Sequence, residues 1–159
     1  MKRAVVYYSL SGNTRKVAEK IAKELSCDLI EIETLKPMPK VYAAQIMYGG
    51  MQASFSLKPR IKPIPAPILS YDELIIGCPI WAGKHAPAIN TFIHLPGMAR
   101  KIIAVFTLNG GGKNEKCQPG LRAILPSLKA YVDLYDKKLD KEKENEELLS
   151  DFLERIYLA

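Results

Sequence analysis

The sequence predicts an α/β protein, a three-layer sandwich whose five-stranded parallel sheet runs in the order 2-1-3-4-5. Three observations carry this. Apolar runs of strand length alternate with segments of helical period along the chain. The first, third and fourth of those runs are apolar almost without interruption, as strands covered by helices on both faces are. A length of 159 residues suits one hydrophobic core, so residues 1–159 are expected to form a single domain.

Taken in order, Lys2 to Tyr8 is the first buried strand. Thr14 to Leu25 places Val17, Ala18, Ile21, Ala22 and Leu25 on one helical face and six charged residues on the other. Asp28 to Glu33 alternates polar and apolar, the pattern of an edge strand. Between Lys36 and Pro67 lie six of the eleven prolines, around a stretch, Val41 to Phe55, that fits a helix broken near Gly49-Gly50. This stretch is read as a crossover connection, with a cap over a ligand site as the alternative. Asp72 to Cys78 is the third strand, ended by Pro79, and Pro87 opens a helix that buries Ile89, Phe92 and Ile93. Lys101 to Thr107 is the fourth strand. A helix from about Glu115 to Leu125 follows, then the fifth strand, Lys129 to Leu134. The charged run Asp136 to Glu147 leads into a last helix with Leu148, Leu149, Phe152, Leu153 and Ile156 on one side.

Composition narrows the function classes. The net charge is +6, from 23 Lys and Arg against 17 Asp and Glu, and the positive residues are scattered. Without an arginine-rich tract this is a solvated basic surface and no nucleic-acid groove, one that favours an acidic partner or a phosphorylated dinucleotide. No apolar run approaches the ~20 residues that span a bilayer, and Met1-Lys2-Arg3 opens no signal peptide, so no membrane role and a cytoplasmic location are expected. Cys27, Cys78 and Cys117 are odd in number and unpaired in spacing, and only His85 and His94 accompany them, so no metal site is expected. Cys78 reads as core. His85 could relay a proton, but a surface histidine is the simpler account.

In a sheet of this order, ligands bind beyond the carboxyl ends of the strands. Three loops meet there. The first, Ser9-Leu10-Ser11-Gly12-Asn13-Thr14, turns from strand into helix and combines a helix N-terminus with hydroxyl and amide donors, a cradle for a phosphomonoester. The second, Pro79-Ile80-Trp81-Ala82-Gly83, presents the only tryptophan, able to stack on a planar heterocycle. The third, Asn109-Gly110-Gly111, has little side-chain bulk and lets a flat ring approach the backbone.

These loops carry a resemblance. Ser9 to Thr14 resembles the phosphate loop of the flavodoxin family. Gly77 to Gly83 with Pro87, Ile89 and Phe92 resembles that family's second flavin loop and the helix after it. Phe106 to Gly112 resembles the third. The resemblance implies a flavodoxin-like fold with FMN as cofactor, its phosphate in Ser9–Thr14 and its ring between Pro79–Gly83 and Asn109–Gly111. It implies a flavoprotein of electron transport or an FMN-dependent NAD(P)H oxidoreductase of the quinone- or flavin-reductase type. Its partner is then a redox protein or NAD(P)H, and no side chain is named as catalytic. Uncharged ring loops imply a low flavin potential. The chain departs from electron-carrying flavodoxins in its basic surface and neutral third loop. The alternative is a non-redox module that binds a phosphorylated ligand; it would have no use for Trp81 and the glycine loop.

Overall fold

A computed structural model describes residues 1–137 and 139–158. Lys138, inside the charged run read as leading to the last helix, and Ala159 lie outside the described residues. Strands β1 (Arg3–Tyr7), β2 (Asp28–Glu31), β3 (Glu73–Trp81), β5 (Ile102–Asn109) and β6 (Ala130–Tyr135) form a parallel sheet in the order β2-β1-β3-β5-β6. This is the expected 2-1-3-4-5 order; the numbering shifts because a two-residue strand, β4 (Lys84–His85), pairs antiparallel with the end of β3.

Side chains alternate across the sheet into two cores. On one side Val5, Tyr7, Ile75 and Phe106 pack against α1 (Asn13–Glu24) and α6 (Glu142–Tyr157) through Ala18, Ile21, Leu149, Phe152 and Ile156. On the other, Ala4, Val6, Leu74, Ile76 and Val105 meet α3 (Pro87–Ile93), α4 (Met98–Lys101) and α5 (Cys117–Ile124). The register steps between Leu74 and Ile75, so Ile102 pairs Leu74 while Ala104 pairs Ile75. Ile103, the extra residue, and Ala104 therefore fall in the same core.

Two expectations are corrected. Pro79 does not end the third strand, which runs on to Trp81. Pro79 lies beyond the last β1 pairing, Tyr7 with Gly77, and there only its carbonyl is used, accepting from the Ala86 N–H at 3.2 Å. A residue without an N–H is tolerated at such a position. Ala82 and Gly83, at φ +49° and +75°, then make the two-residue turn into β4.

The second correction concerns the proline-rich segment. Its helix, α2 (Tyr42–Ser54), is unbroken at Gly49-Gly50. The excursion is closed at its base by an antiparallel bridge, Thr34 with Ile61, reinforced by Leu35 N–H to Arg60 O at 2.9 Å and Lys62 N–H to Glu33 O at 2.8 Å. Only Gly49, Gln52 and Ala53 of α2 are buried, and the helix stands outside both cores. Among the described residues no helix is long and apolar enough to cross a membrane.

Candidate cofactor cleft

At the carboxyl ends of β1, β3 and β5 a cleft of about 720 Å³ opens, within the range of small-molecule sites. Its floor is the β1–α1 turn. The Ser9 hydroxyl accepts from the Gly12 N–H at 3.0 Å, and Gly12 caps α1 at φ +92°, a left-handed conformation that glycine adopts without cost. Gly12 offers no side-chain cap, and the first helical bond is Lys16 N–H to Gly12 O at 3.2 Å. The N–H groups of Asn13, Thr14 and Arg15 thus have no acceptor within the helix and meet the positive end of its dipole.

The hydroxyls of this turn divide their work. Ser9 is spent in holding the loop and does not face the cleft. Leu10, Ser11, Asn13 and Thr14 do. Thr14 is buried, yet among the described residues no hydrogen bond engages its hydroxyl or that of Ser11. The Asn13 amide is oriented by its bond to Asp136 Oδ1 at 2.8 Å, which ties the first loop to the last.

Pro79, Ile80, Trp81 and Ala82 form the second wall; Gly83 lies in the turn behind it. The Trp81 ring is set by an edge-on contact with Tyr8, centroids 5.7 Å apart at 85°, and by Gly49 of α2, where even a methyl group would come within 3.1 Å of the indole. Burial beside it pushes the Tyr8 phenol up to about 12, so Tyr8 is neutral here.

Leu108, Asn109 and Gly110 make the third wall. Asn109 organises its own loop: its Oδ1 accepts from the Gly111 N–H at 2.7 Å, its amide donates to Gly112 O, and its carbonyl accepts from Gly112 and Asp136 N–H groups at 3.2 and 2.8 Å. Gly111 therefore spends its N–H on the loop and stays outside the cleft. Gly112, at φ +72°, lies against the Tyr135 ring with no room for a side chain.

Two walls escape the sequence reading. One is α2, which supplies Tyr42, Gln45, Ile46 and Gly50, so the crossover is also the cap that stood as its alternative. The other is Asp136 and Lys137, just past the carboxyl end of β6. Their position at that edge was the available signal, masked by the charged run around them. The two ring loops are uncharged as read, and Lys137 adds a charge to the cleft from outside them.

The thiols belong to the frame. Cys78 and Cys117 are buried, and burial pushes both up, Cys117 to about 11, so they are protonated at neutral pH and are no nucleophiles. Tyr131 and Thr107 both donate to Asp133 Oδ1, at 2.7 and 2.6 Å, while Asp133 Oδ2 accepts from the Asn114 N–H at 2.9 Å, fixing the chain that leaves the third loop. His85 is part of a similar brace: it meets Asn90 Oδ1 at 3.1 Å, and the Asn90 amide donates to Ser56 and Leu57 carbonyls behind α2. Burial lowers the His85 pKa and it does not line the cleft.

The residues present fit FMN: unpaired donors and a helix N-terminus at one end, Trp81 and a wall with little side-chain bulk at the other. Solved structures share the fold. A flavoprotein of Lactobacillus acidophilus, in complex with FMN, matches at 22% identity with a TM-score of 0.66 over 91% of this chain and 98% of that one. A candidate flavoprotein of Bacteroides eggerthii matches at 25% identity and 0.68, over 95% and 97%. An archaeal flavodoxin matches at 18% and 0.51, over 99% of each chain. No curated protein matches the chain. The family model described as flavodoxin covers residues 2–156, and with the fold already in place the chain belongs to the flavodoxin family.

Proposed function

We propose that the chain binds FMN in this cleft and serves as a redox protein. The observation that carries the reading is one cavity in which an anion cradle of neutral donors is joined to walls for a flat ring. The α1 N–H groups with Ser11 and Thr14 hold the phosphate, and Asn13, fixed by Asp136, lies beside them. Trp81 and the Asn109–Gly110 backbone flank the ring. When bound, FMN supplies one- and two-electron chemistry; the chain binds it, orients it and limits water around it. Tyr42 and Ile46 close one side.

Both a carrier and an NAD(P)H-dependent reductase remain compatible with this cleft, and one titration separates them. Purified protein is mixed with FMN, desalted, and its visible spectrum recorded before and after anaerobic NADPH. Flavin bands retained through desalting support the site. Bleaching by NADPH then identifies a reductase, and no bleaching a carrier reduced by a protein. No retained flavin and no measurable FMN affinity would leave a phosphate-binding module and overturn the proposal.

A further inference from the structure

Beside the cleft, α2 presents a second apolar stripe that no other element covers among the described residues. Its thirteen residues carry no charge, and three rows at helical spacing run along it. Gly49, Gln52 and Ala53 face inward; Tyr42, Ile46 and Gly50 line the cleft. Ala43, Met47 and Met51, continued by Phe55, face outward, with Met47 75% and Phe55 73% exposed. Methionine and aromatic side chains on an exposed row form an adaptable contact surface, and contiguous apolar surface of this kind marks an interaction site.

The charge around this row is mainly positive. From Leu35 to Asn114 the chain has nine Lys and Arg but only two carboxylates, Asp72 and Glu73. Those two sit at the amino ends of the strands, opposite the cleft, bonded to the Lys2 N–H and to Arg3; Arg100 and Lys101, just before β5, sit there too, which leaves seven Lys and Arg elsewhere in the segment. On the cleft side, Lys36 stands 5.8 Å over the Tyr48 ring of α2, and Lys84 Nζ donates to Ser54 O at 3.0 Å at the helix's far end. The Lys116 side chain lies against the Gly83 turn, and Lys137 lines the cleft. Of the carboxylates near this rim, Glu33 pairs with Lys62 and Asp136 is bonded to Asn13; Glu115 is exposed.

A second copy of the chain would bring the same lysines against these and be repelled. An acidic protein with an apolar centre fits both the row and the rim. We infer that the row Met47–Met51–Phe55 with its lysine rim is the docking surface for an acidic partner protein. An apolar centre ringed by charge mainly of one sign favours fast, weak, salt-sensitive encounters. The docking stands on the helix and its rim alone; only the partner's role as electron donor or acceptor rests on the FMN reading.

The test titrates the flavin-free protein, by calorimetry at low ionic strength, with a purified acidic [2Fe–2S] ferredoxin, and with basic cytochrome c as the control of sign. Ferredoxin should bind and cytochrome c should not, and physiological salt should weaken the ferredoxin complex about tenfold or more. Met47→Glu and Lys36→Glu, both at exposed positions outside the cleft, should each weaken it by about tenfold with an unchanged circular dichroism spectrum. Equal affinity in Met47→Glu, no ferredoxin binding at low salt, or a dimer dissolved by Met47→Glu would overturn the proposal. So would binding to phosphatidylserine vesicles that Met47→Glu abolishes, since the row would then be a lipid-facing surface. FMN retention is read on the same samples: ferredoxin binding without FMN affinity removes the redox reading and leaves the docking surface standing.

Discussion

Thr14 is a buried residue that lines the cleft at the N-terminus of α1, and its hydroxyl has no hydrogen-bond partner among the described residues. A hydrogen bond to a phosphate dianion contributes ~1.5–3 kcal/mol, so Thr14→Val should weaken FMN binding roughly tenfold to a hundredfold and leave thermal stability nearly unchanged. Fluorescence titration with FMN beside a melting curve checks both halves. Gly112→Ala should behave in the opposite way. It forces a side chain into the Tyr135 ring at a positive φ, and should cost about 2 kcal/mol or more in urea denaturation. Lys137 lines the cleft with its positive charge, and if the bound ligand is a reducible flavin, as proposed, Lys137→Gln should shift its midpoint potential negative, measured by dye-coupled redox titration.

Among the elements, α2 departs most from what its sequence suggests. Apolar residues surround it, so no single face announces itself, and its direction is set by the Thr34–Ile61 bridge and by Trp81, both distant in sequence. That is why Tyr42, Gln45 and Ile46 were not legible as cleft residues, whereas the Ser9–Thr14 turn was: a capped helix start is encoded locally. The two adjacent glycines of α2 separate propensity from packing. Gly50→Ala meets nothing within 4 Å and should raise stability by roughly 0.5–1 kcal/mol, the helix-propensity gain. Gly49→Ala would press on Trp81 and Met38 at 3.1–3.2 Å, so it should forfeit that gain and alter the tryptophan emission.

The β3–β4 hairpin carries a pH dependence. The folded-state pKa of His85 lies below its ordinary value of 6.5, because burial disfavours the imidazolium. The unfolded chain therefore binds the proton more readily. The contribution of His85 is full above about pH 6.5 and is lost as pH falls from there through the depressed folded value. Urea midpoints of wild type should drop on acidification through this window, and His85→Gln, which cannot titrate, should show a shallower slope.

At the scale of the molecule, the layer order was legible because buried parallel strands write themselves as apolar runs, and Ala4 to Tyr8, Leu74 to Cys78 and Ile102 to Phe106 do so. Pro79 misled because its meaning depends on where β1 stops, a fact of register that no local pattern contains. The basic surface was legible as a number but not as a map: the pairing of Asp72 and Glu73 with the N-terminal residues leaves the cleft side with a lysine excess.

The bond from Asn13 to Asp136 joins residues 123 positions apart, and the cleft takes its walls from Leu10 through Lys137. During synthesis the anion cradle leaves the ribosome early, yet its amide is not held and its ring walls are not assembled until β6 has followed. A nascent chain cannot complete this cleft before residues through Lys137 have been made and β6 has joined the sheet.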